Sequence, residues 1–196
     1  MFHTLAAMKN RVALNTEDAE SPFRLDSELR LLRDADYIVA STQAELAQFQ
    51  WLYHADVRRV VVIPPGVDTS RFYPISPDEA KEFIGVPCEK NMILFVGRIE
   101  RLKGIDTLLE AIALLSQQGA LERNPLCVAV IGGDPGADPE RMSEEMSRLK
   151  VMRTTLGIDD IVTFLGKRDQ DTLQYYYSAA IAVVVPSHYE SFGLVA

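Results

Sequence analysis

Three basic residues lie close together in the segment 96–104, which reads Val-Gly-Arg-Ile-Glu-Arg-Leu-Lys-Gly, and of these we expect Arg101 to stay solvent-exposed. The segment follows an apolar run and precedes a helical pattern, so Arg98 and Lys103 fall at the carboxyl end of a predicted strand, where open α/β sheets bind ligands. Arg98 can bind two pyrophosphate oxygens and Lys103 adds a point charge, while the helix start adds N–H donors. Gly97 and Gly104 would permit close backbone approach. The segment predicts a diphosphate site, and spacing alone leaves a solvated basic loop as the alternative.

A second polar segment, residues 186–193, also follows an apolar run and reads Pro-Ser-His-Tyr-Glu-Ser-Phe-Gly. The carboxylate of Glu190 can accept hydrogen bonds from sugar hydroxyls at such a strand end. Backbone N–H groups of the next helix start can face a phosphate, or negative charge that develops on a leaving group. These N–H groups belong to Phe192, Gly193 and Leu194. Taken alone, Glu190 is more commonly a helix-capping acid and His188 a loop histidine.

A parallel sheet is required to position these two segments. Apolar, β-branched runs alternate with helical patterns, which indicates βαβ units and an α/β fold whose helices flank the sheet. The predicted strands are residues 37–40, 59–63, 92–97, 126–132, 161–165 and 180–185, the last of them fully buried. Apolar residues recur at helical spacing, which predicts amphipathic helices. These helices cover residues 105–115, 142–156 and 173–180.

The chain is predicted to divide within a proline-rich stretch. Thr42 with Glu45 and Ser76 before Pro77 are capping signals for two helices, and residues 64–74 between them lack periodicity. The assignment is residues 1–65 for the C-terminal part of an N-terminal domain, 66–76 for a linker, and 77–196 for a second, incomplete domain. Because only two strands precede the linker and the chain stops at a helix start, we expect it to be a fragment.

Composition excludes several classes of protein. A formal net charge of −8 over 196 residues argues against a nucleic-acid partner, since phosphate binding requires clustered Lys and Arg. The sequence contains neither a bilayer-length apolar run nor a signal peptide, so we expect a cytoplasmic protein without a transmembrane segment. It lacks the G-x-G-x-x-G turn of a dehydrogenase. Asp134 and Asp138 lack nearby histidines, and we expect neither a metal site nor a required cofactor.

The two polar segments together resemble motifs of a known family. V-G-R-x4-K-G and P-S-x-x-E-x-F-G occur in this order in the C-terminal domain of retaining group-1 (family four) glycosyltransferases. Residues 63–68, 130–133 and 164–166 extend the resemblance over nearly the whole chain. Within this family, the sequence is similar to the sucrose-phosphate-synthase-like and inositol-phosphate glycosyltransferases. The resemblance implies the GT-B fold, with Rossmann-like domains, of which this chain would hold most of the donor domain and the end of the acceptor-side domain.

The resemblance also implies a donor site for a nucleoside-diphosphate sugar as co-substrate, with the base near Leu165. Arg98 and Lys103 would stabilise charge on the diphosphate, and Glu190 would hold the donor sugar, so these three are the candidate catalytic residues. The full donor-binding set is Gly97, Arg98, Lys103, Leu165, Glu190, Phe192, Gly193 and Leu194. The family's second glutamate, eight positions after the first, would lie beyond Ala196, which puts the donor affinity of a fragment in doubt.

The segment 2–10 resembles the acceptor-side loop of the same enzymes and gives His3, Thr4 and Lys9 as acceptor-side candidates. A frayed terminus is the alternative. The implied activity is that of a hexosyltransferase using a donor that we expect to be UDP-linked. Its acceptor would be a glycan or a small molecule, with a phosphorylated one such as fructose 6-phosphate or inositol phosphate favoured. A non-catalytic nucleotide-sugar-binding module is the alternative function.

Overall fold

The computed structural model describes residues 1–2, 4–13, 19–87, 90–138, 140–190, 193 and 195. The chain forms two compact units. The first comprises Met1–Val67 with His188–Leu194, and the second comprises Asp68–Ser187 with Val195–Ala196. The assignment of residues 1–65, 66–76 and 77–196 to two domains and a linker stays a prediction, and each unit is described separately.

The first unit contains a short parallel strand pair and three helices. Its elements are α1 (Ala6–Val12), α2 (Pro22–Asp34), β1 (Ile38–Ala40), α3 (Gln43–Tyr53), a 3-10 turn (Val57–Arg59) and β2 (Val60–Val62). Strands β1 and β2 pair in parallel, with Ile38 opposite Val60. Leu5 and Phe49 are fully buried in the apolar cluster between these elements. Packing of α1, α2 and α3 against one small sheet therefore forms this core.

Helices α1 and α2 were not among the predicted elements. Helix α2 begins with a recognisable signal, because Ser21 accepts a hydrogen bond from the Arg24 amide and Pro22 occupies the first helical turn. Helix α1 has only 7 residues and no side-chain cap of its own at Leu5. A helix of that length is marginal in isolation, so tertiary contacts stabilise it.

The second unit is a parallel sheet flanked by helices. Its strands are β3 (Asn91–Val96), β4 (Leu126–Ile131), β5 (Val162–Gly166) and β6 (Ala180–Val183). The order in the sheet is β5-β4-β3-β6, and all pairs described are parallel. Its helices are α4 (Pro77–Ile84), α5 (Ile105–Gln117), α6 (Ala120–Arg123), α7 (Glu144–Thr155) and α8 (Gln170–Ala179). The α/β fold with parallel sheets and flanking helices is thus confirmed.

Alternating side chains of β4 show how the two faces of this sheet are covered. Val128 and Val130 belong to the apolar cluster that includes residues of α5 and α7. Ala129 and Ile131 belong to the cluster that includes residues of α4 and α8. Since successive strand residues point to opposite faces, a continuous apolar run is needed to pack against both helix layers.

Two local expectations are corrected by the structure. Strand β6 was predicted to be fully buried, but Ile181 is 62% exposed because β6 is the last strand at one side of the described sheet. Ser76 precedes α4, and Pro77 is its first residue as predicted, but the Ser76 side chain makes no capping hydrogen bond. Thr42 does cap α3, since its hydroxyl accepts a hydrogen bond from the Glu45 amide at 3.0 Å.

Candidate active site

Glycines join the carboxyl ends of three strands in the second unit. The Gly97 amide donates to the Ile131 carbonyl at 3.0 Å, and the Gly132 amide donates to the Gly166 carbonyl at 2.9 Å. Gly132 has a φ of 140°, and a Cβ placed there would lie 1.8 Å from the Gly97 carbonyl oxygen. Only glycine permits both this backbone conformation and this approach. The loops after β3, β4 and β5 therefore start from one closely packed edge.

Arg98 and Lys103 lie on the loop that leaves this edge from β3. The Arg98 side chain is 77% exposed, and its Nη1 lies 2.7 Å from Oε1 of Glu100. Lys103 is half-buried and ends the 3-10 turn Arg101–Lys103, directly before the N-terminus of α5. Both predicted cations are therefore held at a strand's carboxyl end beside a helix N-terminus, which is a favourable place for a diphosphate.

The loops after β3 and β6 touch at Gly104. Gly104 has a left-handed φ of 64°, and a Cβ there would lie 2.2 Å from the carbonyl oxygen of Pro186. The sequence predicted that Gly104 would allow close approach of a ligand. In the structure, its missing side chain allows close approach of the Pro186 backbone, at the start of the second polar segment. The end of the first polar segment and the start of the second are thus brought together within one unit.

The second polar segment from His188 onward groups with the first unit, which includes His188–Leu194. The Tyr189 hydroxyl donates to Oε1 of Gln48 at 3.4 Å, and burial together with nearby carboxylates raises the pKa of Tyr189 to about 12. Glu190 is half-buried, and Gly193 has a φ of 64°. Phe192 and Leu194 lie outside the described residues. The roles of Glu190 and of these backbone amides therefore stay predictions.

Leu165, predicted to lie near the nucleotide base, is a half-buried residue of β5. Its side chain packs on the α4 and α8 side of the sheet, and its carbonyl accepts a 2.6 Å hydrogen bond from Nη1 of Arg168. Arg168 is a basic residue at the carboxyl end of β5 that the sequence did not single out. The sequence signal for this contact is only that Arg168 follows Leu165 by three residues.

Two of the acceptor-side candidates, Thr4 and Lys9, contact Arg24 of α2 or Glu20, which precedes α2. His3 lies outside the described residues. The Thr4 carbonyl accepts a 2.8 Å hydrogen bond from Nη2 of Arg24, while Nζ of Lys9 and Nη1 of Arg24 each lie 2.6 Å from Oε1 of Glu20. The hydrogen bond from Lys9 is the largest influence on the Glu20 carboxyl and holds its pKa below the ordinary value. The sequence missed Arg24 and Glu20, because their proximity depends on packing of α1 against α2.

A cation–π contact connects α1 with α3. The guanidinium carbon of Arg11 lies 4.0 Å from the ring centroid of Trp51, which is the distance expected for a cation–π interaction. The Trp51 side chain is otherwise exposed, with 60% of its surface accessible. Helix α1 is consequently in contact with both larger helices of its unit.

The described residues contain no group of three His, Cys, Asp or Glu side chains suited to hold a metal ion. Within the same residues, none of the helices is both long and apolar enough to cross a bilayer.

Solved structures match this chain over nearly its full length. Sucrose-phosphate synthase from Thermosynechococcus elongatus matches with a TM-score of 0.83 and 33% identity, covering 100% of this chain and 45% of that one. The Anabaena protein Alr3699/HepE in complex with UDP-glucose matches in fold, with a TM-score of 0.74, 20% identity, and coverage of 98% and 48%. These likenesses, with the parallel sheets and flanking helices, define a protein of the GT-B class.

Family descriptions match both parts of the sequence. "Glycosyl transferases group 1" matches residues 77–196, and "Glycosyltransferase Family 4" matches residues 1–71. The chain therefore belongs to the group 1 glycosyl transferases. A D-inositol 3-phosphate glycosyltransferase of Frankia alni is 41% identical over 194 residues, which are 99% of this chain and 47% of the relative. The chain thus spans about half the length of the curated relatives that it matches.

Proposed function

We propose that the full-length protein transfers a sugar from a nucleoside-diphosphate sugar to an acceptor hydroxyl, with retention of anomeric configuration. The observation that carries the proposal is the pair Arg98 and Lys103, placed at the carboxyl end of β3 and before the N-terminus of α5. Two cations and a helix N-terminus match the charge and the oxygen atoms of a diphosphate.

UDP-glucose or UDP-N-acetylglucosamine is the donor that we favour. A protein of the same fold has been described in complex with UDP-glucose, which supports a uridine nucleotide without assigning its contacts to this chain. Arg98 is exposed enough to turn from Glu100 towards a ligand, and a guanidinium can bind two phosphate oxygens at once. Lys103 adds a positive charge next to the N-terminus of α5.

In the proposed reaction the bond between the sugar's anomeric carbon and the diphosphate oxygen breaks, and a bond from that carbon to the acceptor oxygen forms on the same face. The acceptor proton passes to an oxygen of the leaving diphosphate. Negative charge on the diphosphate grows along this path, so Arg98 and Lys103 stabilise the transition state more than the ground state. Glu190 positions the donor sugar and does not attack it.

A phosphorylated small molecule is the proposed acceptor, with inositol phosphate favoured over fructose 6-phosphate. The relative that is 41% identical is named a D-inositol 3-phosphate glycosyltransferase, and the 33% identical structure is a sucrose-phosphate synthase. Arg24 donates to the Thr4 carbonyl, and Lys9 and Arg24 both pair with Glu20, so an acceptor phosphate would bind these two cations in place of the Glu20 carboxylate. The cytoplasmic location, the absence of a required cofactor and the absence of nucleic-acid partners stay predictions.

Calorimetric titration of UDP, UDP-glucose, GDP-mannose and NAD tests the donor site. The Arg98→Ala/Lys103→Ala double variant should lose binding of the preferred nucleotide, because it removes both diphosphate-binding charges. The matched control, Lys90→Ala/Arg123→Ala, removes the same charges from residues that precede β3 and β4, at the opposite end of the sheet, and should bind normally. Preference for NAD, or equal loss in both double variants, would contradict the proposal.

Measuring turnover distinguishes a glycosyltransferase from the alternative, a non-catalytic nucleotide-sugar-binding module. The full-length protein should form a glycosylated product from UDP-sugar and inositol phosphate, and the product's anomeric configuration can be read by NMR. Tight binding of UDP-sugar by the folded protein, with neither transfer nor hydrolysis across a panel of acceptors, would establish a non-catalytic module.

A further inference from the structure

A buried carboxylate is attached to the start of helix α1. Glu28, on α2, is only 4% exposed. Its two oxygens accept hydrogen bonds from the Ala6 amide at 2.9 and 3.2 Å, and Oε1 also lies 3.2 Å from Nε of Arg24. A buried carboxylate is costly unless it is paired and hydrogen-bonded, so these donors account for its burial.

Tyr53, at the end of α3, completes the same network. Its hydroxyl donates to Oε2 of Glu28 and accepts from the Ala7 amide at 3.0 Å. The first two amides of α1 are therefore satisfied by side chains from two other helices. An ordinary helix receives such bonds from a capping residue in its own sequence, and Leu5 cannot provide one.

The network fixes the segment that carries the acceptor-side candidates. Thr4 lies two residues before the Ala6 amide, and its carbonyl is held by the same Arg24 that contacts Glu28. Lys9 lies on α1 itself. Because a helix of 7 residues does not persist alone, the direction of α1 depends on these long-range bonds.

We propose that Glu28 and Tyr53 are positioning residues for the acceptor: they hold α1 and the preceding residues in the orientation that presents Thr4 and Lys9. The inference rests on the proposed function, in which this segment faces the acceptor. Neither residue needs to touch a substrate. Their contribution is to keep a short helix from sampling orientations in which its polar groups are misdirected.

The test is a comparison of substrate constants in the full-length protein. Glu28→Gln and Tyr53→Phe should each raise the KM for D-inositol 3-phosphate by about 10-fold or more, the effect expected when a buried hydrogen bond to a charged group is lost. The Kd for UDP and the KM for UDP-sugar should stay within about 2-fold of wild type, because the donor residues are untouched. Asp26→Asn on α2 and Tyr37→Phe before β1, both exposed, are matched controls.

Hydrogen exchange supplies a second measurement. The amides of α1 should exchange faster in both variants, while those of α5 and α7 should not change. Tyr53→Phe keeps the ring and its packing, so it remains a usable test if Glu28→Gln fails to fold. A folded Tyr53→Phe protein with the wild-type acceptor KM would overturn the inference, as would a parallel loss of donor and acceptor affinity.

Failure of the inference can be told apart from failure of the proposed function. If the wild-type protein transfers sugar and the variants match it, the inference alone is wrong. If the folded wild-type protein binds UDP-sugar and transfers nothing to inositol phosphate or fructose 6-phosphate, the proposed acceptor is wrong and the inference falls with it.

Discussion

At the scale of single residues, Glu100 competes with the ligand for Arg98. Its carboxylate pairs with the guanidinium that the proposed function assigns to the diphosphate. A half-exposed pair of this kind is worth about 0.2–1 kcal/mol. Ligand binding must break it or share it, so Glu100 lowers the affinity of the site slightly. The pair could not be foreseen from the sequence, because residues 98 and 100 lie in a loop whose backbone determines whether they meet.

Replacing Glu100 by Gln should therefore strengthen UDP binding. The expected gain is about 1.5- to 5-fold in Kd, the range that corresponds to the energy of an exposed ion pair. Calorimetry at low and high salt measures it, and the gain should shrink as salt rises. Glu110→Gln, an exposed site on α5, is the control. Weaker binding by Glu100→Gln would mean that Glu100 orients Arg98 for the ligand.

Gly132 is the residue whose substitution should most disturb the edge of the sheet. Gly132→Ala places a methyl group 1.8 Å from the Gly97 carbonyl oxygen at a φ of 140°, so the loops after β3 and β4 must separate. We expect a loss of at least about 2 kcal/mol in the free energy of unfolding. Gly136→Ala, in the same loop with its nearest neighbour at 3.8 Å, should cost less than 1 kcal/mol on the same estimate. Equal denaturation midpoints for the two variants would refute the argument.

At the scale of elements, strands were more predictable than helix α1. The central strands β3 and β4 are covered on both faces, so their sequences are nearly continuous apolar runs with little ambiguity. Helix α1 has no comparable signature, because α2 and α3 supply its stabilising bonds. The burial of Glu28 could not be predicted either, because its partners come from other helices. An acidic residue in a helical pattern normally indicates a solvent-exposed position.

The two capping signals in the sequence should differ in their effect on stability. Thr42→Ala should cost about 1 kcal/mol, because the Thr42 hydroxyl accepts the Glu45 amide hydrogen bond at the start of α3. Ser76→Ala should change the free energy of unfolding by less than about 0.5 kcal/mol, since Ser76 makes no side-chain cap before α4. Urea denaturation of both variants measures the difference. A larger loss for Ser76→Ala would show that the α4 cap forms in solution.

The contact between Lys9 of α1 and Glu20, which precedes α2, should weaken in acid. The folded-state pKa of Glu20 lies below its ordinary value of 4.5, chiefly through the hydrogen bond from Lys9. A lowered pKa means that the stabilisation is complete above about pH 4.5 and is lost as the pH falls through the folded-state value. The unfolding free energies of wild type and Glu20→Gln should therefore become equal as the pH falls. Asp26→Asn, an exposed control, should differ little from wild type at any pH.

At the scale of the whole molecule, the chain forms two compact units, and the assignment of residues 66–76 to a linker stays a prediction. A proline-rich stretch without periodicity is a local signal, so a boundary could be predicted there from the sequence alone. The donor candidates Arg98 and Lys103 could be located because they follow a strand directly. The placement of Glu190 depends on how the segment after β6 folds, which no short pattern determines.

Each unit has its own apolar core, so core substitutions should act within their unit. Phe49→Ala in the first unit should cost about 3–5 kcal/mol and Leu109→Ala in the second about 2–5 kcal/mol, since both side chains are fully buried. Hydrogen exchange should accelerate most in the unit that carries each substitution. Uniform acceleration throughout the chain by either variant would instead indicate a single cooperative folding unit.

The contact between Arg11 and Trp51 gives the molecule a built-in optical probe. The chain contains one tryptophan, and in the structure a guanidinium from α1 lies over its ring. Indole emission responds to a nearby cation and to exposure to water, so in this chain fluorescence excited selectively at the tryptophan reports whether α1 contacts α3. Acceptor binding, acidification or loss of the Glu28 contact can each be followed in real time without attaching a dye.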